Sequence, residues 1–258
     1  MLYEWIEYLT TKSPLHLKRM GYLHEFIALK YKFKRNRKAW KPHLTNTKNQ
    51  ILKICESLTG PKNSIVLIGS GPLQDIPLRR LAQTFKEVIL IDLYHPKFIL
   101  YKNVRTIKVD ITNALETVYK LEDLILPKLI DFGFKADLVI SCNIFSQLTL
   151  KVEDFLNERG KFEASRFENW KKHIQNNHLL QLKELGRRAY MISDYQWNWF
   201  DKKHNLIERE DLIPEELADA HNLVKINEWE WLNSPKGELG PNMYLINKVG
   251  VYKLTETI

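Results

Sequence analysis

The sequence predicts an α/β fold: a mostly parallel, seven-stranded sheet closed by a C-terminal antiparallel hairpin and preceded by a helical cap. Three observations predict it. Short apolar runs recur from Ser64 onward, the first three ended by glycine or an acid, as suits strands buried on both faces. Stretches with helical spacing separate these runs, the alternation of a parallel sheet with crossover helices. Near the C-terminus two longer runs flank a turn containing Pro235, Gly237, Gly240 and Pro241, which reads as a hairpin.

Taken in order, residues 1–60 read as a helical, basic cap and residues 61–258 as the α/β domain. Ser13-Pro14 predicts an N-cap followed by proline at the first helical position. Leu23, Phe26, Ile27 and Tyr31 continue with helical spacing. A second start is expected at Thr45-Asn46, with Ile51, Cys55 and Leu58 on one face until Gly60-Pro61. Residues 64–68 form the first expected strand, ended by Gly69-Ser70-Gly71-Pro72, and residues 73–85 the next helix. Strands follow at 88–91, ending in Asp92, and at 104–109, ending in Asp110. Helical material is expected over 114–132 and a fourth strand over 136–141. Phe167, Trp170 and Ile174 mark a long helix, residues 188–193 a fifth strand, and 223–231 and 243–252 the hairpin.

The 258 residues are 44% hydrophobic and 27% charged, a globular composition that excludes disordered and collagen-like chains. No stretch approaches the ~18 apolar residues of a membrane helix. Glu4 and Glu7 break the grading of a signal peptide, and two cysteines, Cys55 and Cys142, make no disulfide framework, so a cytoplasmic protein is expected. His16, His24, His43 and His95 lack metal-ligand spacing, and no metal is expected. The net charge of +8 is unevenly spread. Residues 12–53 hold twelve Lys/Arg and one acid, Glu25, while the rest of the chain is slightly acidic. The dense stretch 30–38 suits an anionic partner or a solvated helix face.

In an open α/β sheet, ligands sit beyond the carboxyl ends of the strands. Gly69 and Gly71 follow the first strand, where a tight turn lets backbone approach a ligand and the next helix presents free N–H groups. Asp92 ends the next strand, 21 residues after Gly71, where an acid accepts hydrogen bonds from ribose hydroxyls. Asp110 is placed to reach an adenine edge. The plain alternative for both acids is a polar strand terminator.

With these residues in hand, residues 64–252 resemble a class I S-adenosylmethionine-dependent methyltransferase of Rossmann-like fold. Val66-Leu67-Ile68-Gly69-Ser70-Gly71-Pro72 resembles the family's first motif, Ile91-Asp92 its ribose-binding acid, Val109-Asp110-Ile111 its adenine-contacting strand end, and Asp137-Leu138-Val139-Ile140-Ser141 its fourth motif. Leu67 stands where the family usually has an acid, and Leu73 where it has a third glycine. The resemblance implies S-adenosyl-L-methionine as cofactor, held by Gly69, Ser70, Gly71, Asp92, Asp110, Ile111 and Ser141.

The stretch after the fourth strand sits where the family faces the transferred methyl. Asn143 and Gln147 can orient an acceptor for in-line displacement and Ser146 can contact it, or these side chains cap a turn. Only the asparagine of the Asn-Pro-Pro-Tyr pattern of nucleic-acid amino methylation is present, against transfer to a flipped base. Asp194 is a candidate base, while Tyr195 and Trp197 are candidates for an aromatic box or for strand core. Trp40 and His43 are expected over the substrate from the cap.

The resulting expectation is methyl transfer to a small metabolite, for which the basic cap favours a carboxylate or phosphate group, without a membrane span. An RNA methyltransferase is the alternative: the 30–41 segment would hold phosphates while Tyr31, Phe33 and Trp40 stack on bases. Two others are an aminocarboxypropyl transferase, since residues 69–73 also resemble the glycine turn of nicotianamine synthases, and a non-catalytic binding protein.

Overall fold

Ile65 and Leu67 face one side of the first strand and Val66 and Ile68 the other, and all four are fully buried. That double burial places β1 (Ser64–Ile68) at the centre of the sheet, between β2 (Glu87–Asp92) and β4 (Leu138–Cys142), all parallel. The computed structural model describes residues 2–255. The remaining strands are β3 (Val104–Lys108), β5 (Ala189–Asp201), β6 (Leu206–Asp211), β7 (Leu223–Ser234) and β8 (Met243–Leu254), in the order β3-β2-β1-β4-β5-β8-β7. β5 runs parallel to β4 and antiparallel to β8, and β8 antiparallel to β7. The expected parallel sheet with a terminal hairpin is therefore present. An eighth strand, β6, absent from the sequence reading, pairs with the distal half of β5. Its side chains are almost all exposed, so no apolar run announces it.

Helices cover both faces. One core joins Val66, Ile68, Ile89 and Ile91 to α6 (Leu115–Leu121), α7 (Leu150–Glu158), α8 (Ala164–Leu185) and the N-terminal α2 (Leu15–Arg19) and α3 (Tyr22–Arg35). The other joins Ile65, Leu67, Val88 and Leu90 to α4 (Arg37–Glu56) and α5 (Leu78–Thr84). Both α1 (Leu2–Thr10) and α9 (Glu215–Ala220) lie at the periphery of this arrangement, with largely exposed side chains. Residues 15–58 thus contribute to both cores of the sheet.

Several local expectations are corrected. Pro14 is the N-cap of α2 and not its first helical residue, and the Ser13 hydroxyl bonds Tyr94 Oη at 2.5 Å instead of capping. Thr45-Asn46 lies inside α4, which starts at Arg37 and runs through Pro42. An interior proline costs about 3 kcal/mol. Packing offsets it: Trp40 Nε1 donates to Asn233 O (2.8 Å), and Trp40 meets Trp231 edge-on at 5.2 Å. The helix expected over 73–85 begins only at Leu78, and that over 114–132 ends at Leu121. Among the described residues, no helix is long and apolar enough to cross a membrane.

Candidate functional site

The carboxyl ends of β1, β2 and β4 and the turn after β3 open on a cavity of about 530 Å³, within the range of small-ligand sites. Tyr22, Phe26, Leu29 and Lys32 of α3, with Trp40 of α4, roof it. Trp197 and Trp199 of β5, Leu245 of β8, and Trp231 and Ser234 of β7 form the far wall.

The glycine turn makes the floor. A Cβ on Gly69 (φ +77°) would stand 2.6 Å from Cys142 O and 2.8 Å from Ile144 Cβ, so only glycine lets the ends of β1 and β4 meet. Around Gly71 (φ +46°) no atom lies within 4 Å of such a Cβ, and the residue borders the cavity. Its N–H donates to Asp92 Oδ2 at 2.7 Å, and the Tyr94 N–H approaches Oδ1 at 3.4 Å. Burial pushes the Asp92 carboxyl up to about 6, against those donors. Leu73, where the resembled family has its third glycine, still holds the left-handed conformation at φ +63°. Leu67 is fully buried in the sheet core. Ser70 is corrected: its hydroxyl is buried against His95 Nδ1 at 3.4 Å and does not line the cavity. Because α5 starts only at Leu78, the turn does not lead directly into a helix.

Asp110 borders the cavity, but its carboxylate is spent locally. Oδ1 accepts from Thr112 N–H (2.9 Å) and Oγ1 (2.7 Å), and Oδ2 from the Ala114 (2.9 Å) and Leu115 (2.8 Å) N–H groups. Four bonds fill the roughly four acceptor sites of a carboxylate, so Asp110 starts α6 and an adenine contact through it is not supported. Ile111 lines the cavity beside it.

After β4, Asn143 adopts φ +51°, a conformation asparagine tolerates. Its Nδ2 donates to Asp75 Oδ2 at 2.7 Å, where burial raises the Asp75 carboxyl. Gln147, in the 3-10 turn Phe145–Gln147, is exposed and lines the cavity with Asn143. Ser141 is corrected. Its hydroxyl points beneath the sheet to His178 Nε2 of α8 at 2.8 Å, because strand alternation gives that face to the α8 core. Burial holds His178 down at about 4. Ser146 is corrected too: it is buried and donates to Asp194 Oδ1 at 2.5 Å instead of facing the cavity.

Asp194 is 3% exposed. Besides Ser146, its carboxylate accepts from Trp197 Nε1 and from Asn247 Nδ2 (2.9 Å), while burial raises its pKa. A carboxylate so engaged holds the wall together, and the expected proton-accepting role is not supported. Its neighbour, Tyr195, occupies a bulge: the pairing of β5 with β8 shifts between Asp194 and Gln196. The extra residue flips the parity of the strand, so Asp194, Trp197 and Trp199 all border the cavity. Tyr195 leaves it and donates to Glu228 Oε2 at 2.8 Å, which corrects its place in an aromatic box. His43 is corrected as well. It stacks on Trp231 (4.0 Å, 10°) and accepts from Trp229 Nε1 at 3.2 Å outside the cavity, and burial depresses it to about 3. Trp40 does line the cavity.

Two residues here escaped sequence reasoning, Tyr22 and Asp75, while Lys32 was read only as one of the basic 30–38 stretch. Tyr22 and Lys32 lie on one stripe of α3 with Phe26 and Leu29, and a lysine breaking an apolar stripe was the available signal for Lys32. Asp75 carried none, since only folding brings it to Asn143. Tyr22 also bears on cofactor fit. Its buried hydroxyl has no partner among the described residues, and burial and the nearby charge of Asp110 raise its pKa. The open space at Gly71, the Asp92 carboxylate and this unpartnered hydroxyl are compatible with a polar, nucleoside-sized group in the cavity.

No family model matches the chain, and no curated protein matches it. Solved structures do, at low similarity. The DhpI-SAM-HEP complex is 11% identical, covers 92% of this chain and 99% of its own, and gives a TM-score of 0.38. A complex of the Haloferax volcanii Trm112 methyltransferase activator with the putative methyltransferase gives 10%, 87%, 94% and 0.40. A SAM-dependent methyltransferase of Leishmania major gives 15%, 83%, 71% and 0.38. The central parallel strands, the switch at β1, the antiparallel β5-β8-β7 end and the glycine turn beside Asp92 make a Rossmann-like fold, the arrangement implied by the sequence resemblance to class I S-adenosylmethionine-dependent methyltransferases.

Proposed function

We propose that this protein transfers the methyl group of S-adenosylmethionine to a small acceptor bound in the cavity. The observation that carries the reading is Asp92, at the end of β2, clasped to the Gly71 N–H at 2.7 Å on the cavity floor. Bound there, the cofactor supplies a methyl activated by its sulfonium. Asp92 would accept from the ribose hydroxyls, Gly71 leaves room for the chain to pass, and Tyr22 Oη would meet the base. Asn143, fixed by Asp75, and Gln147 would orient the acceptor, while α3 and the tryptophan wall exclude water.

Calorimetry with S-adenosylmethionine and S-adenosylhomocysteine tests cofactor binding, and no heat from either would defeat the proposal. Incubating cell extract with methyl-labelled and, separately, carboxyl-labelled cofactor then separates methyl from aminocarboxypropyl transfer. The RNA alternative draws support from Lys34, Arg37 and Lys38, which are exposed on and beside α3. It loses its stacking platform: Trp40 is 2% exposed, Phe33 packs against a core, and Tyr31 donates to Glu7.

A further inference from the structure

We infer that the far end of the cavity receives a flat aromatic acceptor whose anionic group, carboxylate or phosphate, is bound by Lys32. The inference rests on the methyltransferase reading and names the acceptor class for the same cavity.

Strand register builds this subsite. Trp197 on β5 pairs with Asn247 on β8, which pairs with Trp231 on β7. The next rung on that face is Trp199, Leu245 and Ser234. β7 shifts register between Leu232 and Ser234, so Trp231 and Ser234 both border the cavity despite their odd spacing. Three indoles and a leucine thus line this end of the cavity, with the buried Asn247 between Trp197 and Trp231 tying the first rung to Asp194 and the second rung ending at Ser234. Crossing two strands and two residues spans ~12 Å, the length of a bicyclic ring with one substituent.

Lys32 stands at that second end. Its Nζ donates to Asn233 Oδ1 at 3.0 Å and Ser234 Oγ at 3.1 Å, both neutral. Among the described residues no carboxylate pairs with it. The nearby acids are engaged elsewhere: Glu238 with Arg35 (2.7 Å), and Glu25 with Lys151 (3.6 Å). Lys32 Nζ also lies 5.7 Å from the centroid of the Trp40 ring, so the third ammonium donor has an aromatic face beside it and no oxygen partner among the described residues. Burial lowers its pKa, and the more distant charges of Glu238 and Glu25 offset that desolvation only in part. A ligand anion would supply that pair, and the aromatic wall would take the ring behind it.

The test uses three probes of one shape, 2-naphthoate, 2-naphthyl phosphate and neutral 2-naphthamide, titrated calorimetrically with S-adenosylhomocysteine present. The wild-type protein should bind at least one anion tenfold or more tighter than the amide, and the preferred anion distinguishes carboxylate from phosphate. In Lys32→Met, which keeps the aliphatic stem, that preference should shrink to twofold or less. Equal binding of anions and amide, no binding of any probe, or an undiminished preference in the variant would overturn the inference. The wild-type comparison decides even if the variant does not fold. Failure of the wild type to bind S-adenosylmethionine in a parallel titration would instead count against the methyltransferase reading, with the anion preference measured separately.

Discussion

Gly69 and Gly71 lie in one turn, yet the space around them differs, and so should their variants. In Gly69→Ala the new methyl meets Cys142 O and Ile144, and left-handed backbone strain adds to the clash. A loss of about 2–4 kcal/mol of stability is expected by denaturant titration. Gly71→Ala meets no atom within 4 Å, so only about 1 kcal/mol of strain is expected, but its methyl enters the cavity and cofactor affinity should fall tenfold or more. The reverse pattern would mean the turn is not the cofactor floor. Asp92 adds a pH signature. Ribose hydroxyls need the carboxylate, and this group takes up its proton near pH 6 in the ligand-free protein. Cofactor affinity should therefore hold above pH 7 and fall by up to about tenfold per unit below about 6. In Asp92→Asn affinity should be weaker at pH 7 and flat with pH, and a wild-type profile as flat as the variant's would remove Asp92 from the site.

At the scale of elements, the turn after β4 and the bulge in β5 set the site's geometry. Asn143 owes its orientation to the 2.7 Å bond from Asp75, contributed by the loop that follows β1. Asp75→Ala frees the carboxamide. Cofactor affinity should stay within about twofold while turnover falls roughly 10–100-fold, the cost of an acceptor misplaced by about 1 Å. A variant with full turnover would leave the pair a structural one. The β5 bulge was hidden in the sequence because Trp197 and Trp199 alternate like any strand pair. What alternation does not reveal is that Asp194, three residues before Trp197, shares their face, because the odd residue is taken up at Tyr195. Strand ends were more legible than helix starts. Asp92 closes a local apolar run, whereas α4 runs past the Thr45-Asn46 cap signal because Trp40 and His43 anchor it to β7.

For the whole molecule, the join between α4 and the β7 wall contributes to acid stability through His43. His43 is neutral in the folded chain down to about pH 3, and an unfolded imidazole takes up a proton near 6.5. Below 6.5 the unfolded state binds the extra proton, so this residue's contribution is lost as pH falls. His178, held down to about 4, acts in the same direction, and Asp92, raised to about 6, in the opposite one. The single-site difference isolates the term. Between pH 7 and 5 the wild type should lose about 2 kcal/mol more than His43→Phe, measured by urea unfolding at each pH. Equal losses would mean that His43 titrates normally in the fold. The excess positive charge sits outside this join: Lys34, Arg35, Arg37 and Lys38 remain exposed, and of these Arg35 is paired with Glu238.

By itself the sequence determined the central strands, the glycine turn, Asp92 and the terminal hairpin. Those features follow from short-range chemistry: apolar runs buried on both faces, glycines at positive φ, and an acid where a run stops. Tertiary structure alone decided which side chains share the cavity. Ser70, Ser141, Ser146, His43 and Tyr195 lie at positions that local pattern marks as functional, yet strand parity, a bulge and the packing of α4 turn them toward other partners. The same long-range packing brings Tyr22 and Lys32 to the cavity and Asp75 to Asn143 on its border. The direction in which a side chain faces is set by the strand or helix packed against it, and that partner is distant in the chain.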